Sequence, residues 1–229
     1  MKRFRRVGAA AYPFAVLFLL LLGAAAVTAP LVSPRSPTTQ DLDHRFHPPG
    51  GGFALGSDDL GRDVLSRIIW GSRSALLVGV VSVVISAGLG TMAGLAAGLG
   101  PSAVDNGIML LMDGLLSFPT VLLAITVVSF LGYGLAQVTI ALGVIYSPTF
   151  ARIVRAETLV LKTEGYVEAA RALGTPLTLI VARHIVPNLL GKVIVQGSTT
   201  FSLAIVVEAS LSYLGLGTQP PAASWGLML

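Results

Sequence analysis

The chain has 229 residues, of which 54% are hydrophobic and only 11% charged, with a mean hydropathy of +0.81. That leaves too little polar surface to coat a soluble globule of this size, so the chain belongs in a bilayer, where its 26 glycines and 13 prolines are also at home. A net charge of +4 does not make it a nucleic-acid binder, because the basic residues are scattered at the ends of apolar runs, and zero cysteines exclude disulfides, cysteine metal sites and thiol catalysis.

Five apolar segments are each long enough to cross about 30 Å of hydrocarbon as a helix. They fall at Tyr12–Val32, Ser74–Leu99, Ile108–Leu131, Leu135–Ile153 and Leu190–Leu214. The first follows MKRFRR and ends near Val27–Ala29, a small-residue run that also fits a secretory cleavage site. Pro30 directly after that run argues against cleavage, and a retained helix is expected. The expected division is 1–32 for the tail and first helix, 33–73 for an external loop, and 74–229 for the membrane core.

The loop from Ser33 to Arg73 passes through a Pro/Ser/Thr-rich spacer and HPPGGG to LGSDDLGRDVLSRIIWG. Ser57 suits an N-cap, Asp58 and Asp59 suit the positive end of a helix, and Leu60, Val64, Leu65, Ile68 and Ile69 recur on one face. This predicts an amphipathic helix on the outer face leading into the second span. His44 and His47 with Asp41 and Asp43 have metal-ligand chemistry, but no helical or hairpin frame fixes them, and a solvated loop is the plainer expectation.

Within the second span Ser86, Gly90, Gly94 and Gly98 place a small residue at every fourth position, a spacing that lets two helix backbones approach. It is a packing signal without functional specificity. The third segment carries Asp113, the fourth is interrupted by Gly143 and Pro148, and the fifth contains Gln196, Thr199, Thr200, Ser202 and Glu208. Ionisable groups inside spans face a partner or an aqueous path, so Asp113 and Glu208 are candidates for lining a translocation path. For Asp113, near the start of its helix, an N-terminal dipole interaction is an equal alternative.

Lysine and arginine set the orientation. With the N-terminus cytoplasmic, the inside holds Lys2, Arg3, Arg5, Arg6, Arg152, Arg155, Lys162, Arg171, Arg183 and Lys192, and the outside Arg35, Arg45, Arg62, Arg67 and Arg73. This split is the direction the positive-inside rule requires, although the short inner loop at Pro101–Asn106 has no basic residue.

The stretch YVEAARALGTPLTLIVARHIVP, Tyr166 to Pro187, is then a cytoplasmic helical hairpin. Tyr166, Ala169, Ala170 and Leu173 form one apolar face, with Glu164, Glu168 and Arg171 opposite. Gly174 suits the left-handed residue that ends the helix, Thr175 the next N-cap and Pro176 the first residue after it. A second helix with Leu177, Ile180, Val181 and Ile185 is expected to stop near Pro187–Asn188. A solvated connector has no need of an alanine face on which another protein's backbone can come close.

Glu168, Ala169 and Ala170, then Gly174, then Pro187 resemble the EAA loop of permease subunits of ABC importers, departing from it at His184 and Val186, where isoleucine and leucine are usual. LGSDDLGRDVLSR, SFPTVLLA, GYVEAARALG, RHIVPN and EASLSYLGLGTQPPAASWGLML resemble the dipeptide, oligopeptide and nickel branch of that family from about His47 onward. The resemblance implies an all-α bundle of the type I importer kind in a bacterial or archaeal cytoplasmic membrane. It implies a non-enzymatic subunit without cofactor or metal, partnered by a second permease subunit, two ABC ATPase subunits and an external substrate-binding protein, with the hairpin as coupling helix. No G-x-x-x-x-G-K-[ST] phosphate loop occurs in the sequence. A secondary transporter using Asp113 and Glu208, or a membrane scaffold, are the rival readings; the first leaves the hairpin unexplained and the second the polar fifth span. Relatives typically continue past the SWG motif into a further helix, so a truncated chain is expected.

Overall fold

Asp63, not Ser57, starts the helix that carries the second apolar segment. In the computed structural model, which describes residues 2–229 and side chains from residue 13 onward except at Ala15, the Asp63 carboxylate accepts from the Ser66 amide at 2.8 Å, and α2 runs unbroken over Val64–Leu99. The predicted amphipathic helix from Ser57 does not form. Residues 57–63 fold into a turn closed by a bridge between Ser57 and Asp63, and Gly61 within it takes φ of +72°, which a right-handed helix excludes. The acidic residues serve that turn instead. Asp58 accepts the Leu60 and Arg62 amides at 3.0 and 2.9 Å and Arg62 Nε at 2.6 Å. Burial pushes the Asp58 carboxyl up, but the Arg62 and Leu60 amides and the Arg62 guanidinium outweigh it and hold it below the usual aspartate range.

The remaining elements are α1 (Lys2–Val32), α3 (Ser102–Leu116), α4 (Thr120–Leu131), α5 (Leu135–Leu161), α6 (Gly165–Ala172), α7 (Leu177–Ile180) and α8 (Val186–Tyr213). Among the described residues, three continuous helices are long and apolar enough to cross a membrane: α2, α5, and the run Leu177–Tyr213. Tyr12, the expected start of the first span, lies outside the residues whose side chains are described, as do the four basic residues before it; the apolar helix that is described there is Val16–Val32. Ala26 and Ala29, near the cleavage-like run, are buried packing positions.

Hydropathy merged what the backbone separates in the third segment. Its two halves, α3 and α4, meet at 96° across Ser117–Pro119. Pro119, in extended geometry, caps α4 and cannot supply the amide that a continuing helix would need. The fourth segment shows the opposite. α5 continues through Gly143 and Pro148 and ends at Leu161, beyond the predicted end at Ile153.

The small-residue stripe explains how the bundle closes. A Cβ on Gly90 would fall 2.5 Å from the Ser147 carbonyl oxygen, one on Gly94 2.6 Å from that of Ala151, and one on Gly98 2.8 Å from Thr158 Cβ. Contact therefore advances in the same direction on both helices, and α2 and α5 run parallel in close backbone contact. Ser86, fully buried, satisfies its hydroxyl on the Val83 carbonyl of its own helix at 3.1 Å. α8 runs antiparallel to α2, with Gly79 against Phe201 and Gly197 against Val83.

The two ends of the bundle differ in character. At one end the 33–63 loop and the 214–229 segment pack on the start of α2: Arg67 Nη1 donates to the Pro37 carbonyl at 3.2 Å, Trp225 Nε1 to that of Ile68 at 3.1 Å, and Ser74 Oγ to that of Ala223 at 3.1 Å. The α6–α7 hairpin projects from the other end. Here the expected inner loop without basic residues is neutralised from α5, since Arg155 grips Asp105 with Nη2 at 2.6 Å, while Lys162 Nζ donates to the Gly98 carbonyl at 2.9 Å at the negative end of α2.

Candidate functional site

The hairpin is anchored by the expected Ile180 and Ile185 of its second helix and, on α6, by a residue that periodicity did not single out. Val167, fully buried, joins Val154, Ile180, Ile185 and Leu189 in a cluster against the C-terminal ends of α2 and α5 and the N-terminal end of α8, with Ala170 packed beside it. The predicted apolar face is thus split. Ala170 turns inward, whereas Ala169 is exposed, Tyr166 is 44% exposed and Leu173 is 86% exposed. Glu168 and Arg171 are exposed on the same short helix. The result is an apolar and charged surface with no partner among the described residues, held on a rigid base.

Gly174 takes φ of +77° and ends α6 as expected. The Thr175 amide donates to the Ala170 carbonyl at 3.1 Å and the Gly174 amide to that of Arg171 at 3.0 Å, the paired bonds of a Schellman stop. The next cap sits one residue later than predicted: Pro176, not Thr175, is the N-cap of α7, its carbonyl accepting the Leu179 and Ile180 amides at 2.9 and 3.1 Å.

Pro187 does not end the second helix. A π-helical turn over Val181–Ile185, in which the Val186 amide reaches back to the Val181 carbonyl, leads straight into α8 with Pro187 in its first turn. The wider turn makes room for a proline ring and for its missing amide, which an α-helical register at this position does not allow. Hairpin and last span are therefore one mechanical element. His184 lies in this turn with its ring centroid 5.8 Å from that of Tyr166, so the residue departing from the usual isoleucine braces α6 against the return helix.

The two acidic residues within the spans have different surroundings. Glu208 is 1% exposed, and it accepts from Ser212 Oγ at 2.7 Å and Thr218 Oγ1 at 3.4 Å. Its carboxylate ties α8 to the segment that follows. Asp113 is exposed and pairs with Arg152 Nη2 at 2.5 Å, a partner that sequence reading assigned only to the charge count. Asp113 lies in the last turn of α3, at the negative end of that helix, so the expected N-terminal dipole interaction does not occur and the Arg152 contact holds the carboxylate instead. Among the described residues no group of three or more His, Asp or Glu side chains is arranged to hold a metal ion; His44 pairs with Asp41 at 2.8 Å, and His47 Nδ1 lies 2.7 Å from the Pro48 carbonyl.

A polytopic helical membrane protein whose last span continues into an exposed, rigidly anchored hairpin is the class that this architecture defines. The chain belongs to the family of binding-protein-dependent transport system inner membrane components, whose profile matches residues 90–229. It is similar to a putative peptide transport system permease protein of Brucella suis, 43% identical over 211 residues that make up 92% of this chain and 71% of the relative. It is also similar to the di/tripeptide transport system permease protein DppC of Pseudomonas aeruginosa, 42% identical with 93% and 73% covered, and to the glutathione transport system permease protein GsiD of Escherichia coli, 41% identical with 100% and 75% covered. The chain is accordingly a permease subunit of a binding-protein-dependent ABC transport system of the inner membrane, a transport component and not itself an enzyme. Neither rival reading, secondary transporter or scaffold, is supported.

Proposed function

We propose that this subunit forms part of the path through which an ATP-driven importer moves small peptides, and that its 165–187 hairpin couples the path to a separate ATPase. The observation that carries the coupling is the unpartnered surface of Tyr166, Glu168, Ala169 and Leu173, set on a buried base at Val167 and Ala170 and joined without a break, through the π turn and Pro187, to α8. Movement of the hairpin by an ATPase moves the last span with it. The peptide substrate class is taken from the relatives, which carry peptides, di/tripeptides and glutathione by name. The complex contains a second permease subunit, two ATPase subunits and an external binding protein, and the N-terminus and hairpin face the cytoplasm.

Asp113 lines the path on this reading, while Glu208 acts behind it by holding the outer segment. Ser86, Gly90, Gly94 and Gly98 keep α2 and α5 together as the fixed part of the bundle. The test is co-purification of the ATPase. Leu173→Glu places a charge at the apolar contact without disturbing the buried base, and is expected to lose the ATPase from an otherwise correctly inserted subunit. Full retention of the ATPase by this variant contradicts the docking role.

A further inference from the structure

A cavity of about 280 Å³ lies in the 33–63 loop at the first turn of α2, with Arg35, Thr39, Asp41, Phe53, Gly61 and Asp63 among the residues that line it. Its walls are fixed by the chain itself. The Arg35 amide donates to Ser66 Oγ at 3.1 Å and the Asp41 amide to the Leu60 carbonyl at 3.1 Å, which pins the 35–41 segment at both ends. Gly61 lies so close under the Asp41 carbonyl that no Cβ fits between them, and Phe53 is 1% exposed.

Three charged side chains line this space, and none pairs with another. Asp63, 2% exposed, spends Oδ2 on the amide and hydroxyl of Ser66, and its Oδ1 has no hydrogen-bond partner among the described residues. Asp41 pairs with His44 through Oδ2 alone, at 2.8 Å. The Arg35 guanidinium rests 4.0 Å over the Phe53 ring and makes no hydrogen bond or ion pair among the described residues. A buried carboxylate oxygen without a donor is costly, and such groups point to something that supplies one. A metal ion would suit the two carboxylates but be repelled by Arg35. A simple anion would suit Arg35 but be repelled by both carboxylates.

We propose that the cavity binds the zwitterionic head of a free α-amino acid, its ammonium group on Asp63 and Asp41 and its carboxylate on Arg35. Such a ligand meets all three unspent charges with charge-assisted hydrogen bonds. Size sets the class: the volume falls just below the roughly 300–1,000 Å³ of pockets that take drug-sized ligands, which suits one small amino acid better than a peptide. Occupancy ties the 35–41 segment to the N-cap of α2. The site stands apart from the hairpin and does not depend on the transport reading.

The test is saturation-transfer NMR of glycine with the full chain in lipid nanodiscs, with methylamine, acetate and alanyl-alanine as competitors. Glycine is expected to bind, and methylamine and acetate, each lacking one charge, to compete at least about tenfold more weakly. Arg35→Gln and Asp63→Asn are each expected to weaken glycine at least about tenfold, whereas Arg35→Lys, which keeps a cation, retains most of the binding. Asparagine caps a helix as well as aspartate, so the start of α2 is preserved, and a thermal melt of each variant checks this. If a variant melts early, the competition series on the unaltered chain decides alone. No glycine binding, or unchanged binding by both Arg35→Gln and Asp63→Asn, overturns the proposal. Methylamine or acetate competing as well as glycine shows that only one charge is read, and alanyl-alanine competing better assigns the cavity to peptides; either outcome also overturns it.

Discussion

Gly174 offers the sharpest perturbation of the hairpin, because its two possible constraints can be told apart. A Cβ built on it meets nothing within 4 Å, so no steric contact opposes a side chain there. Only the backbone does: at φ of +77° an L residue is disfavoured by about 1–2 kcal/mol, asparagine least and β-branched residues most. The affected helix, Gly165–Ala172, has only 8 residues and cannot hold itself together in isolation. A penalty of that size reduces the ordered hairpin about 5- to 30-fold relative to its opened forms. The expected ranking of hydrogen-exchange protection in α6, and of ATPase co-purification, is Gly at the top, then Asn, Ala and Val. Equal behaviour of Gly174→Asn and Gly174→Val, or a ranking by side-chain volume alone, would refute the backbone argument.

Two further outcomes follow from packing and topology. Gly94→Ala forces a methyl to within 2.6 Å of the Ala151 carbonyl oxygen, so it is expected to destabilise the bundle by about 1–3 kcal/mol in detergent melts, whereas Gly88→Ala, with nothing within 4 Å, is neutral or gains up to about 1 kcal/mol of helix propensity. If the hairpin is cytoplasmic and the 33–63 loop external, a cysteine at Asp59 reacts with an impermeant maleimide in intact cells and one at Leu173 does not. Asp59 suits as the outer probe because its side chain is 59% exposed, whereas neighbouring Ser57 is buried.

What was legible in the sequence was whatever repeats or terminates by simple steric rule. The fourfold spacing of Ser86, Gly90, Gly94 and Gly98 identified a close helix contact because only small residues permit one, and Gly174 identified a helix end because its backbone geometry excludes most other residues. What was not legible depended on which of several competent residues wins. Ser57 and Asp63 are both good caps, and the left-handed Gly61 between Ser57 and α2 decides for Asp63. Hydropathy is blind to the bend at Ser117–Pro119, since both arms are apolar. Pro187 reads as a stop because local rules assume an α register, and the π turn ahead of it removes that assumption. Val167 lies one position from the predicted face, a difference that an 8-residue helix with several apolar residues does not resolve without its neighbours.

The Arg152–Asp113 contact was illegible for a different reason. It joins helices whose relative tilt is set by the bend, and nothing in the spacing along either helix announces it.

The central claim is that this chain carries a small peptide across the membrane only when an ATPase drives it through the hairpin. The most direct test is alanyl-alanine uptake by the complete transporter in vesicles, with loaded binding protein outside and ATP or a non-hydrolysable analogue within. The account predicts uptake with ATP, none with the analogue, and none with ATP when Leu173→Glu is present. Uptake that proceeds without ATP hydrolysis, or that survives the hairpin variant at the wild-type rate, would contradict it.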